Sequence, residues 1–201
     1  MFESIQIIEK PDWVSWDEIH NVLWNAHADN REKGVVMRFP SLSGDEIRKF
    51  IEGRGKLYCA IADGKVVGTG AIVFKKVWLW FTKYPEEFCY LYFASVLPEY
   101  MGKGIYKQIN IHREQVCREM GINRLLFDTH EKNTHIQNVL KKNGFIPVDY
   151  KFYFDHYNIV MIKWLDGCPY NEYRLKYEYL KRKLKVKTKR MLNRIFNIEK
   201  K

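Results

Sequence analysis

Two glycines on either side of one lysine follow an apolar stretch in the segment "YLYFASVLPEYMGKGIYKQINIH", residues 90–112. Gly102 and Gly104 can bring the backbone close to a ligand because they lack a Cβ atom. The helical pattern that starts there points unpaired N–H groups and the positive end of its dipole outward, which favours an anion. Neither GxxxxGK[ST] nor GxGxxG is present, and Lys103 separates the glycines. The spacing predicts an anion site or, alternatively, only a tight turn between a strand and a helix.

Alternating strands and helices position this loop. The segment "SIQIIEK" predicts a strand, and Ser15 and Ser43, each followed three residues later by Glu, begin two helices with capping-box signatures. The first helix is expected to reach about residue 30. Two β-rich runs on either side of Asp63-Gly64 predict a hairpin, and a further strand is expected over 88–97.

The second half of the chain continues the alternation. A helix is expected over about 104–120, with an apolar side made of Ile105, Ile109, Val116 and Met120. "RLLFDT" predicts a strand, and Asn133 or Thr134 caps a helix that Gly144 ends. "FIPVDYKFYF" and "NIVMIKWL" are typical of a closing antiparallel pair. This order predicts an α/β fold.

Composition limits the class of protein. With 201 residues, of which 46% are hydrophobic, the chain is expected to fill one core. It has no run of about 18 apolar residues, and its start resembles no signal peptide, so we expect a cytoplasmic protein. Cys59, Cys89, Cys117 and Cys168 are far apart and form no metal-ligand pattern, which favours reduced thiols without a catalytic role and no metal site.

Most of the net charge of +10 lies in the last 32 residues. Residues 170–201 contain 12 Lys or Arg and three Glu, a net charge of +9, which leaves +1 for residues 1–169. The apolar residues of this tail recur at steps of three, four or seven, which predicts one face of a helix: Tyr173, Tyr177, Leu180, Leu184, Met191 and Ile195. That face is expected to pack on its own domain or a dimer partner, or to bind a polyanion or an anionic membrane surface such as the inner membrane face. The aromatic or glycine-rich signature of a nucleic-acid-binding segment is missing, so we do not expect nucleic acid as a partner.

Two segments carry a resemblance to a known family. "SVLPEYMGKGIY", residues 95–106, resembles motif A of the GNAT superfamily of acyl-CoA-dependent N-acetyltransferases, and "NTHIQNVLKKNGF", residues 133–145, resembles its second signature. The resemblance implies a mixed, mostly antiparallel sheet that is splayed between strands four and five and flanked by helices. It covers a domain over 1–168 and leaves 169–201 as a basic helical extension.

The resemblance also implies a donor, acetyl-CoA, and its binding residues. The backbone from Met101 through Gly102, Lys103, Gly104 and Ile105 to Tyr106 would bind the pyrophosphate of CoA. The amides of Ala94 and Val96 on strand four would bind the pantetheine and polarise the thioester carbonyl. The second signature adds Asn133 and Lys142. Met101 replaces the Arg or Gln of the family, and Tyr106 replaces a small residue.

Direct transfer needs a base for the amine and a proton donor for the CoA thiolate. Asp128 occupies the position that holds a carboxylate base in some relatives, and Leu140 occupies the position of the Tyr that donates the proton in many of them. Because Leu140 cannot donate a proton, His130, Tyr90 and Tyr92 are the candidate substitutes. Each of these side chains is also compatible with a structural role alone.

The acceptor is expected to be a small-molecule amine. Residues 27–43 contain Arg31, Lys33 and Arg38, which could receive an anionic acceptor such as a nucleotide-linked amino sugar. Trp13, Trp16 and Trp24 could stack on a sugar but are expected in the core. The sequence therefore predicts an N-acetyltransferase. The alternative is a non-catalytic CoA-binding or interaction module that its basic tail attaches to a membrane or polyanion.

Overall fold

The computed structural model describes residues 5–35, 41–153 and 156–195, which form seven strands and six α-helices. They group into two compact units, residues 1–127 and 128–201. The strands are β1 Gln6–Glu9, β2 Gly55–Ala62, β3 Lys65–Val77, β4 Glu86–Val96, β5 Arg124–His130, β6 Ile146–Tyr153 and β7 His156–Trp164. The helices are α1 Trp16–Ala26, α2 Ala28–Glu32, α3 Gly44–Ile51, α4 Ile105–Glu119, α5 Thr134–Lys142 and α6 Glu172–Ile195.

The first unit is built on an antiparallel sheet in the order β1-β2-β3-β4, with β5 parallel to β4. β4 and β5 pair where Cys89 faces Leu125 and Tyr90 faces Leu126. Beyond Tyr90 the described residues of β4 continue to Val96 without further partners on β5. The mostly antiparallel, mixed α/β fold and the separation of strands four and five are as predicted.

Helices cover both faces of this first sheet because its strands alternate their side chains between the faces. Leu57 and Cys59 of β2 belong to the core under α1 and α3, whereas Ala60 and Ala62 belong to the core under α4. Ser15 and Ser43 cap α1 and α3 through their side chains, as predicted, and the complete capping box is present at Ser43 and Glu46. α1 ends earlier than expected, at Ala26, and a separate short helix, α2, follows.

The expected apolar side of α4 is wrong in its second half. The buried residues of α4 are Ile105, Ile109, Arg113 and Cys117, and Met120 is exposed. An arginine thus occupies the middle of the buried side. All four cysteines are free, and Cys59, Cys89 and Cys117 are buried.

The second unit contains α5, the antiparallel pair β6 and β7, and α6. Asn133 caps α5 through its side chain, as one of the two predicted alternatives. α6 packs on β6, and its residues Leu175 and Tyr179 are buried. Within the described ranges, no helix is both long and apolar enough to cross a membrane.

Candidate active site

The loop between β4 and α4 has the conformation that its glycines allow. A short 3-10 helix, Pro98–Tyr100, ends at Met101, and Gly102 and Gly104 then adopt positive φ angles of 77° and 78°. No atom lies within 4 Å of the Cβ position of either glycine. The loop therefore needs glycine for its left-handed backbone and not for space.

The N-terminus of α4 differs from those of α1, α3 and α5. In each of those three helices a capping side-chain oxygen accepts a hydrogen bond from a backbone N–H of the first turn, whereas the N-cap of α4 is Gly104, which has no side chain. The first turn of α4 also contains no acidic residue. Its first backbone N–H groups thus remain available to an external anion, and the helix dipole adds a positive potential.

The residues around this end of α4 are largely exposed. Met101 has 54% of its surface exposed, and Lys103 donates a hydrogen bond of 2.9 Å to the backbone oxygen of Glu99 while its ammonium lies over the Tyr100 ring. Tyr106 instead packs its ring against the core under α4. Burial raises the pKa of the Tyr106 hydroxyl, and the positive charge of Arg113 opposes that rise.

β4 carries a bulge directly before the loop. Tyr92 pairs with Ala71 and Ser95 pairs with Thr69, so Phe93 and Ala94 together lie opposite the single residue Gly70. Phe93 has a φ of 51°. A positive φ is rare for a bulky side chain, costs on the order of 1–3 kcal/mol, and is typical of functional sites. The bulge was missed in the sequence because no residue type there signals it.

Two side chains hold the bulge in place. The guanidinium of Arg113 donates hydrogen bonds to the backbone oxygens of Ala71, at 3.2 Å, and of Tyr92, at 3.3 Å. The hydroxyl of Thr69 lies 2.7 Å from the backbone oxygen of Phe93 and 2.6 Å from the Ser95 hydroxyl. The backbone before and after the bulged residue is thereby fixed from α4 and from β3.

Arg113 is fully buried, which is unusual for arginine. Its second terminal nitrogen donates to the side-chain oxygen of Asn110. Gly70 makes room for it: a Cβ there would lie 2.4 Å from Ile109 and 3.3 Å from the guanidinium. Two carbonyls and one amide thus replace the acidic partner that a buried charge usually has.

His27, at the end of α1, is a second buried polar residue that the sequence analysis missed. Its Nδ1 atom accepts a hydrogen bond of 3.1 Å from the Asn30 amide. Burial lowers the pKa of His27 to about 4, although a hydrogen bond with the backbone of Ala94 opposes that shift. The imidazole is therefore neutral at pH 7 and lies beside the bulged residue of β4.

The two candidate tyrosines of β4 share one face of the strand. The rings of Tyr90 and Tyr92 stack with their centroids 4.5 Å apart, and Tyr90 is buried. Tyr92 also meets the Phe50 ring edge-on at 4.9 Å. Tyr92, the bulge and the N-terminus of α4 thus all belong to the first unit.

The other candidate residues belong to the second unit. Asp128 accepts a hydrogen bond from the Asn158 amide. His130 is buried, stacks on His156 at 4.8 Å, and accepts a hydrogen bond of 3.0 Å from the backbone of Lys132. Lys142 lies in the last turn of α5, where it is exposed. Leu140 is buried and belongs to the core, which leaves no polar group at that position.

The predicted acceptor segment shows a different arrangement. The Arg31 guanidinium lies 3.7 Å from the centre of the Trp24 ring, and Lys33 pairs with Asp29 at 3.9 Å. Arg38 lies outside the described residues. Trp13 and Trp24 are exposed, contrary to the expectation that they fill the core, whereas Trp16 packs against it.

Comparisons with known proteins agree with the two sequence motifs. The family model described as "Acetyltransferase (GNAT) family" matches residues 16–145, more than half of the chain. No curated protein sequence matches the chain significantly.

Many solved structures share the fold. The ribosomal-protein-S18-alanine N-acetyltransferase from Escherichia coli superposes with a TM-score of 0.62 at 15% identity, covering 84% of this chain and 98% of that one. The PaiA N-acetyltransferase from Thermoplasma acidophilum, solved with coenzyme A, gives 0.58 at 18% identity, covering 81% and 99%. A protein of the same family from Elizabethkingia anophelis, solved with acetyl-CoA bound, gives 0.56 at 13% identity, covering 81% and 99%.

Proposed function

Because the chain belongs to the GNAT family of acetyltransferases, we propose that it transfers an acetyl group from acetyl-CoA to a primary amine of a small molecule. The uncapped N-terminus of α4 is the observation that carries this proposal. Three other helices use a side chain for their first turn, whereas α4 offers its amides to an external group. CoA has a pyrophosphate, the kind of anion that such amides bind.

The proposed donor site uses the backbone of the first unit. Amides from Gly102 to Tyr106 bind the pyrophosphate, and the exposed Met101 and Lys103 flank it. The amides of Ala94 and Val96 bind the pantetheine and the thioester oxygen. A β-bulge leaves one residue of its strand outside the ladder, and the bulge of β4 lies at Phe93 and Ala94, where this part of the site is proposed. One such donor typically contributes about 3 kcal/mol of transition-state stabilisation.

The reaction is a direct transfer. The neutral amine attacks the thioester carbon, the C–S bond breaks, the amine loses one proton, and the CoA thiolate gains one. We assign removal of the amine proton to the carboxylate of Asp128, which the Asn158 amide orients by a hydrogen bond. His130 is the alternative base. Tyr92 or Tyr90 would reprotonate the thiolate, since Leu140 cannot. Asn133 and Lys142 complete the proposed cofactor residues.

The acceptor proposal is an anionic amino compound such as a nucleotide-linked amino sugar. Trp24 and Arg31 support it, because an exposed indole with a guanidinium over its face offers both a stacking surface and a positive charge. The catalytic domain is proposed to cover 1–168, with 169–201 as an extension. The predicted homodimer and the cytoplasmic location remain predictions.

A second candidate function is a non-catalytic CoA-binding module. The burial of Leu140 favours it, because the position of the family's proton donor is part of the core here. The two candidates differ in turnover. We would measure acetyl-CoA binding by calorimetry and thiol release with a panel of amines, amino acids and amino sugars. Binding with thiol release on an amine supports the transferase, binding without release on any amine supports the module, and no binding excludes both.

A further inference from the structure

α6 exposes an apolar stripe along most of its length. The stripe consists of Tyr173, Tyr177, Leu180, Leu184 and Met191, whose exposed fractions are 85%, 65%, 54%, 65% and 56%. Steps of three, four and seven residues place all five on one side of the helix. Exposed residues of this size that are contiguous on a folded protein indicate an interaction surface.

The opposite side of α6 is held by its own unit. Leu175 and Tyr179 are buried there. Arg182 pairs with Asp149 at 3.6 Å, and Arg190 pairs with Glu131 at the same distance. These contacts fix the rotation of the helix about its axis. The stripe consequently faces away from β6, and packing within its own unit, one of the sequence-based interpretations, does not cover it.

Positive charge surrounds the stripe. The sequence of α6 contains ten Lys or Arg and only two Glu, Glu172 and Glu178. Long basic side chains can lay their aliphatic stems along an apolar surface while their charged ends reach an anionic layer above it. Apolar residues in the middle and cations at the edges are the arrangement of helices that lie in the headgroup region of a membrane.

A second copy of α6 is a poor partner for this stripe. The stripe has the spacing of a coiled-coil seam, in which the residues beside the seam set partner choice through their charges. Arg174, Lys176, Lys181 and Lys183 occupy those flanking positions, and Lys187 interrupts the seam itself. Glu172 and Glu178 pair with Lys176 and Lys181, but the flanking positions contain no acidic residue, so two such helices would face each other with a net positive charge, which disfavours pairing.

We propose that the stripe of α6 docks on an anionic phospholipid bilayer. Apolar side chains enter the acyl boundary, and the flanking lysines and arginines bind the lipid phosphates. A nucleic acid would neutralise the same charges but would offer no apolar phase to Leu180 and Leu184. The proposal does not depend on acetyl transfer, because α6 and its contacts belong to the second unit alone.

Sedimentation of the full chain with vesicles tests this proposal. We expect binding to vesicles of phosphatidylcholine and phosphatidylglycerol, and much weaker binding to phosphatidylcholine alone. Leu180→Gln with Leu184→Gln should lower the partition coefficient at least about a hundredfold, since each leucine side chain that enters the acyl region contributes about tenfold or more. Lys181→Gln with Lys187→Gln should lower it about twentyfold to thirtyfold, since each lysine contributes about fivefold.

The matched control is Tyr84→Gln with Ile111→Gln, which removes two equally exposed apolar side chains from the first unit. This control should bind vesicles like the parent chain. All variants should keep the melting temperature and the circular dichroism spectrum of the parent, which shows that they fold. Absence of binding to the anionic vesicles would overturn the proposal. Unchanged vesicle binding by the leucine variant would also overturn it. A dimer that forms only when both leucines are present and that does not bind vesicles would overturn it as well. If the leucine variant bound duplex DNA as tightly as it bound the anionic vesicles, the partner would be a polyanion instead.

Discussion

The buried guanidinium of Arg113 on α4 donates a hydrogen bond of 3.3 Å to the backbone oxygen of Tyr92, the last residue before the bulge of β4. This contact links the helix whose N-terminus forms the proposed pyrophosphate site to the strand that forms the proposed thioester site. The helix proposed to bind one end of the cofactor thereby also fixes the backbone proposed to bind the other end.

Arg113→Met should therefore act on the chemical step. It leaves the backbone oxygens of Ala71 and Tyr92 without their donor, at about 1–3 kcal/mol each, and it frees the bulge to move. A displacement of about 1 Å in a reactive site can cost about a hundredfold in rate. We expect kcat to fall about tenfold to a hundredfold while KM for acetyl-CoA changes less than threefold or so.

Arg113→Lys distinguishes positioning from stability. Lysine keeps the charge but loses the fork of the guanidinium, so it should restore part of the melting temperature and little of kcat. If kcat of both variants simply followed the fraction of folded protein, Arg113 would be structural only.

Substitution of Thr69, which contacts the bulge from β3, should also lower kcat. Thr69→Val removes the hydroxyl that donates to Phe93 and lies beside Ser95, at a cost of about 1–3 kcal/mol in the free energy of unfolding. Thr69→Ser keeps the hydroxyl and should behave like the parent in kcat. Denaturant unfolding and thiol release measure the two effects, and a serine variant as slow as the valine variant would show that the hydroxyl is not the cause.

The glycines that begin and follow α4 allow a matched test of the anion site. Gly104 and Gly121 have φ angles of 78° and 72°, and neither has a neighbour within 4 Å of its Cβ position. Valine should therefore strain the backbone similarly at both places. Gly104→Val should weaken acetyl-CoA binding at least about tenfold in calorimetry, since it disturbs the amides that are proposed to bind the pyrophosphate, whereas Gly121→Val should lower only stability. Equal affinities of the two variants for acetyl-CoA would show that the phosphate site lies elsewhere.

Local signals predicted most of the fold. Ser15, Ser43 and Asn133 begin helices, and Asp63-Gly64 makes the hairpin turn. Each of these features depends on a few neighbouring residues, so the sequence alone contains the needed information. The helix of the tail was likewise predicted, from the spacing of its apolar residues.

The features that the sequence did not predict depend on contacts between distant segments. The bulge at Phe93 results from the register between β3 and β4, which no local pattern reveals. Arg113 is counted as polar in any pattern of apolar residues, yet the carbonyls of Ala71 and Tyr92 let it replace an apolar residue on α4. Similarly, the ion pairs with Asp149 and Glu131 decide which side of α6 faces its own unit.

The base can be identified from paired variants. Asp128→Asn keeps an oxygen that accepts from Asn158 but removes the carboxylate, so it should lower kcat, measured by thiol release, about a hundredfold or more. His130→Gln serves as the parallel variant. A reversed result, with a normal rate for the asparagine variant and a large loss for the glutamine variant, would assign the base to His130.

His27 should make the protein sensitive to acid. Burial lowers its pKa from 6.5 to about 4 in the folded chain, so between these values the unfolded chain binds a proton that the folded chain does not. The free energy of unfolding is therefore highest above pH 6.5 and falls as the pH decreases towards 4, by about 3 kcal/mol in total. His27→Gln keeps a polar amide in this place without a titrating group. Urea unfolding across this pH range should show a smaller loss of stability in the variant, with the difference confined to the interval between the two pKa values. A loss of equal size in both proteins would mean that another group causes the acid sensitivity and that His27 is protonated as easily when folded as when unfolded.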